Sequence, residues 1–203
     1  LLRALAGFLR VRADAAAARY DQLADQARAS FRARFVHPER EHLADVVDAP
    51  AGDDWTLRPN QIFAVSLPFE LLEGDAARRV VDSTARALLT SYGLRSLDPA
   101  DPAYCGTFVG TPKERDSVYH QGPVWSWPLG AFAEAHYRVY GARQAALAFL
   151  RPIEQHLRDA CLGSVSEILE GDPPHLPRGA VAQAWGVSEI LRVWRALARE
   201  KGA

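Results

Sequence analysis

Methionine is absent from these 203 residues, so no natural translation start is in view. Leu1 to Val11 already have the composition of a helix under way, and the chain is expected to continue upstream. Cysteine is nearly absent too. Cys105 and Cys161 are too few and too far apart for a disulfide framework or a zinc site, and two reduced thiols are the simplest reading. No run of one charge sign occurs, and 24 basic against 25 acidic residues leave a formal charge of -1. Nucleic acid is therefore not an expected partner, because backbone binding needs a basic stripe. No apolar run approaches the ~18 residues of a membrane span, so a membrane partner is not expected either. Strand-like alternation never lasts more than a few residues, and no strand-helix-strand pattern occurs. His120 and His175 lack a third ligand at metal spacing, so neither a metal nor a cofactor is expected.

What remains is helix. Tyr20, Leu23, Ala24, Ala27, Phe31 and Phe35 recur at helical spacing after Asp14, a natural cap. Val80, Val81, Thr84, Ala85, Leu88 and Leu89 oppose Arg78, Arg79, Asp82 and Arg86 in a second amphipathic helix, 73–91. A third, 142–157, carries Pro152, which should bend it. Between these lie segments apolar on nearly every face, 61–69, 124–140 and 180–198, with Pro68 ending or bending the first. Long polar connections precede each apolar segment and short ones follow it. Antiparallel packing then places every long connection at one end, with apolar helices inside and amphipathic helices outside. The expected fold is all-α: helical hairpins of a double-ringed barrel, with the inner helices more buried than their partners. The loop 92–123 exceeds the ~15 residues usual for a structureless connection, and its aromatics point to an ordered active-site loop.

That mouth collects the chemistry. Three of the five tryptophans, Trp125, Trp127 and Trp185, fall in the first turns of inner helices, where flat aromatic faces suit sugar rings. Each is equally a packing residue, and Trp194 reads as core. Arg58 either meets a ligand or clamps a loop through carboxylates. Glu167, Glu170 and Asp172 lie in a proline-broken loop with His175 and Arg178, either a polar site or solvated acids. Glycosyl transfer to water needs two carboxyl groups across the bond. Glu167 is the better general base, Glu170 the more solvated, and Asp172 a turn former or hydrogen-bond acceptor. Glu134 sits mid-helix in an apolar segment and needs a positive partner on a neighbouring helix; Glu189 invites the same reading.

In this order the motifs resemble the C-terminal part of the amylo-α-1,6-glucosidase domain of glycogen debranching enzymes, over about Phe31 to Leu197. The likeness rests on Arg58-Pro59-Asn60-Gln61, Tyr92-Gly93-Leu94-Arg95-Ser96-Leu97 and Tyr119-His120-Gln121-Gly122 with Val124-Trp125 and Trp127. It extends through Ser166-Glu167-Ile168, Gly171-Asp172, Pro177-Arg178-Gly179 and Ala182-Gln183-Ala184-Trp185. The resemblance implies an (α/α)6 barrel, residues 1–203 forming about its C-terminal half and the upstream half lying outside this chain. It implies inverting hydrolysis of α-1,6-linked glucose at glycogen branch points, in the cytoplasm, with glycogen or another branched α-glucan as partner. Glu167 matches the general base. Arg58, Asn60, Gln61, Asp116, His120, Gln121, Arg178 and Gln183 match pocket positions, with Trp125 and Trp185 as candidate stacking surfaces. The family's general acid, an aspartate in a tryptophan-methionine-aspartate motif, has no counterpart here, so the chain alone is expected to be inert. An exposed apolar face should then be covered by the upstream half or a second copy. A glycosidase or phosphorylase of other specificity on the same barrel, and a non-catalytic helical binding module, are the alternatives.

Overall fold

Pro128 begins the helix on which four of the others rest. Proline brings no N–H to a first turn that leaves its N–H groups unbonded anyway. The computed structural model describes residues 1–160 and 162–199; the thiol expected at Cys161 lies outside them, and Cys105 is free. In chain order the helices are α1 (Leu2–Val11), α2 (Ala16–Phe35), α3 (Phe63–Ser66) after a tight turn Pro59–Ile62, and α4 (Gly74–Ala87). There follow α5 (Pro112–Val118), α6 (Pro128–Tyr140), α7 (Arg143–Leu150), α8 (Pro152–Asp159) and α9 (Ala184–Ala198). The chain is mostly helical, and α3, α4, α7 and α9 all pack on α6. Leu129, Phe132, Ala133 and Ala135 of α6 are fully buried.

Two apolar clusters flank that helix. Ile62, Val65, Leu72, Val80, Val81, Leu88 and Phe132 fill the space between α3, α4 and α6. Leu129, Ala146, Leu150, Ile153, Val193 and Leu197 fill the other side, between α6, α7, α8 and α9. Each valine, leucine, isoleucine or phenylalanine among them contributes about 1.5–3 kcal/mol when withdrawn from water. The register of α4 is the expected one, with Val80, Val81 and Thr84 buried and Arg78 and Arg86 exposed. The chain breaks between α7 and α8 at Arg151, where Pro152 takes the first position of α8. Asp14 accepts the Ala16 N–H at 2.9 Å at the start of α2. Leu23 and Ala27 of the expected stripe are nevertheless exposed.

Several expectations fail locally. Four two-residue strands form a small antiparallel sheet in the order β1 (Leu94–Arg95), β2 (Val124–Trp125), β3 (Ile168–Leu169), β4 (Pro177–Arg178). Val124 and Trp125 therefore open as strand, paired to Arg95 and Leu94 on one side and to Leu169 and Ile168 on the other. The first apolar segment is α-helical only over Phe63–Ser66, because Pro68 pushes Leu67 to extended backbone. The loop 92–123 is ordered as expected, but it carries regular elements that its sequence does not announce, β1 and α5. The last helix starts at Ala184 rather than Ala180, the intervening backbone bonding to Val165 and Glu167 instead. Nor is α9 more buried than its partners: Trp185 is 62% exposed, Leu191 52% and Trp194 48%, so Trp194 is not core.

His156 of α8 is buried, and its Nε2 accepts the Ser166 N–H at 3.1 Å, which requires the neutral ring. Burial holds its pKa below the usual histidine value, against a smaller upward pull from Asp159. The unfolded chain thus takes up a proton at a pH where the folded chain does not. The stability this bond contributes is complete above about pH 6.5 and is lost as pH falls toward the folded value. Unfolding curves at about pH 7.5 and about pH 5.5 should show a loss that is smaller in His156→Gln, whose amide accepts without titrating.

Candidate active site

The connection between α8 and α9 folds back on itself because β3 and β4 pair Ile168 with Arg178 and Leu169 with Pro177. Glu167, just before β3, lies opposite Ala180, just beyond β4. The Glu167 N–H donates to the Ala180 carbonyl at 3.0 Å, and the Ala180 N–H donates to Glu167 Oε2 at 2.8 Å. Gly179 permits this: its φ is +66°, and a Cβ there would sit 2.7 Å from Glu167 Oε2. The other oxygen, Oε1, accepts the Tyr119 hydroxyl at 2.7 Å and the Gln183 amide at 3.4 Å. Gln183 Oε1 is buried with no hydrogen-bond partner.

Tyr119 reaches Glu167 from the end of α5, a helix started by Pro112 and a reciprocal Thr111–Glu114 cap. Its ring meets Trp125 edge-on at 4.8 Å, and the Trp125 Nε1–H donates to the Tyr119 carbonyl at 3.3 Å. The His120 ring stacks on Trp125 at 5.2 Å. Burial, then the bond to Glu167, pushes the Tyr119 hydroxyl up to about 12, so it remains a donor throughout the neutral range. Desolvation, helped by the Arg58 charge, holds His120 below the usual imidazole value.

The other predicted positions fall in several places. Arg58 clamps loops through carbonyls rather than mainly carboxylates: it donates to Ser96 O at 3.0 Å, His120 O at 2.6 Å and Gln121 Oε1 at 2.8 Å. Its Nε lies 3.6 Å from Asp45. Gln61 ties the Leu43 N–H at 3.0 Å to the Thr84 hydroxyl at 3.2 Å. Asn60 and Asp116 are exposed, Asp116 on α5. Arg178 donates through Nε and Nη2 to Glu170 Oε1 at 3.0 and 2.8 Å. Glu170 is therefore buried and paired, which corrects the expectation of a solvated acid. Asp172 is both a turn former, its carbonyl accepting the His175 N–H at 2.9 Å, and the acceptor of the Tyr104 hydroxyl at 2.9 Å. Glu134 has the expected partner on a neighbouring helix, Arg192 at 2.7 Å, which also holds Glu189 at 2.6 Å.

The structure thus gathers Glu167, Gln183, His120 and Trp125, with Arg58 and Gln121 behind them. In the sequence Tyr119 is one loop aromatic among several and the first residue of a motif, with no role of its own assigned. Its bond to Glu167 spans 48 positions, and no local pattern signals it.

The family model described as amylo-alpha-1,6-glucosidase matches residues 2–192. The glycogen debranching enzyme of Saccharomyces cerevisiae is 31% identical over 96 residues, 43% of this chain and 6% of that protein. The chain therefore aligns with only a small part of that relative's length. No helix among the described residues is long and apolar enough to cross a membrane.

Proposed function

The chain belongs to the amylo-α-1,6-glucosidase family, and we propose that within its complete polypeptide it supplies the general base that removes α-1,6-linked glucose from branched α-glucan such as glycogen. One observation carries the reading. A carboxylate offers about four acceptor positions, two on each oxygen. Around Glu167, Oε1 already accepts two donors, Tyr119 and Gln183, whereas Oε2 accepts one, from Ala180. The remaining position on Oε2 is where a water can be held and its proton taken. The Tyr119, Gln183 and Ala180 donors fix the plane of the carboxylate, so the water is aimed before substrate arrives.

The water adds to the anomeric carbon as the glycosidic C–O bond breaks, and its proton passes to Glu167. The acid that protonates the departing oxygen belongs to the upstream half of the proposed (α/α)6 barrel, about 6.5–9.5 Å from Glu167 so that the water fits between them. The same reading has residues 1–203 as the C-terminal half of that barrel, inert alone, with the exposed Val187, Leu191 and Trp194 side of α9 covered by the upstream half or a second copy. A cytoplasmic location goes with it. Proton NMR of the complete polypeptide acting on a phosphorylase-limit dextrin tests the reaction. Glucose should appear first as the β-anomer, with the α-anomer growing in by mutarotation. First appearance of α-glucose, or no glucose at all, contradicts it.

A further inference from the structure

Three aromatic rings form a row that the base chemistry does not use. Phe63 stacks on Trp127 at 5.3 Å and 12°, and Trp127 stacks on Trp185 at 5.1 Å and 29°. The row joins the site's aromatic cluster, since Trp127 and Tyr119 both pack on the cluster of Phe108, Trp125 and Ile168. The Ser126 hydroxyl donates to Ser166 O at 2.9 Å, and Gly186 packs so closely that a Cβ would lie 2.7 Å from that hydroxyl. Ser126 precedes Trp127, Gly186 follows Trp185 and Ser166 precedes Glu167, so the backbones that carry the row and the carboxylate meet at this contact.

Beside the row is a cavity of about 490 Å³ whose wall includes Glu134, Glu189 and Arg192. These charges pair with one another yet keep contact with solvent: their side chains are 18%, 22% and 51% exposed. An apolar segment laid on Trp185 would strip water from that cluster and leave its charges poorly solvated. A sugar would not, because its ring face covers the indole while its hydroxyls replace the water. The two walls of the site also differ. Trp125, on the Tyr119 side, is 8% exposed, whereas Trp185, on the Gln183 side, is 62% exposed. A polysaccharide cannot be enclosed, so the open wall is the one that passes it to solvent.

We propose that Trp127 and Trp185 are the platform for the α-glucan chain on the far side of the cleaved bond, with Arg192 and its two carboxylates meeting that chain's hydroxyls. The proposal rests on the reading of Glu167 as the centre of a glucan site and adds where the polymer lies. In the complete polypeptide, Trp185→Ala should raise KM for glucose release from limit dextrin about tenfold, the loss falling on KM rather than kcat. Maltotetraose binding measured by calorimetry should weaken by a similar factor, and Trp185→Phe should restore most of both. An exposed ring contributes little to the core, so an unchanged melting temperature accompanies the expected result. Unaltered KM and unaltered maltotetraose affinity, or a loss confined to kcat, overturns the platform. If Glu167→Gln retains turnover while Trp185→Ala still raises KM, the base assignment fails and the platform stands.

Discussion

Glu167→Gln in the complete polypeptide should lower glucose release from a phosphorylase-limit dextrin by ~10²–10⁴-fold, the range lost with a general base. The substitution preserves size and leaves an amide oxygen to accept from Tyr119 or Ala180, so the hairpin keeps its shape. What it removes is the second accepting oxygen. An amide NH2 placed at Oε2 would confront the Ala180 N–H, now 2.8 Å from that atom, so the side chain settles with its oxygen toward Ala180. The NH2 then faces Tyr119, whose hydroxyl has to turn from donor to acceptor. Substrate affinity should change little, because the carboxylate is asked to act on water rather than to hold sugar. The loss belongs in kcat. Glu170→Gln should cost far less in rate, since Glu170 is spent on Arg178.

That second carboxylate predicts the largest structural effect. Arg178→Ala leaves Glu170, 12% exposed at its side chain, without its guanidinium. Breaking a fully buried pair costs about 3–5 kcal/mol. Arg178 is itself 35% exposed, so some solvent screens the pair and on the order of 2–3 kcal/mol is expected. Urea unfolding should show the midpoint falling with an unchanged slope. Glu170→Gln, which keeps an oxygen for the same two N–H groups, should lose less, and the double variant should be less than additive. A full loss from each single variant, summing in the double, would mean the two side chains do not depend on each other.

How much of this was legible in the sequence depended on the range of the interaction. The face of α4 was legible because Val80, Val81 and Thr84 alternate with Arg78 and Arg86 at helical spacing, a signal carried within a few turns. The break at Pro152 and the need for a partner at Glu134 follow from single residues. The strand at Val124–Trp125 does not, because two residues are too few to display a period of two. It is extended because β1 and β3 bond to it from both sides, and both are remote in sequence. The exposure of α9 had the same origin: an apolar circumference tells that a helix needs covering, not which neighbours supply the cover. At the site, Glu167 was legible as a carboxylate in the right kind of loop. Its cradle was not, since Tyr119 and Gln183 come from different elements and meet only in the fold.

The most direct test of Glu167 removes the side chain and supplies a small nucleophile in its place. Glu167→Ala in the complete polypeptide should be nearly inactive on limit dextrin, because nothing takes the proton from water. Azide needs no base and fits the space vacated beside Oε2. Added azide should restore cleavage of the α-1,6 bond and yield β-glucosyl azide, the inverted product. No response to azide, or formation of the α-azide, would contradict Glu167 as the base that aims water at the anomeric carbon.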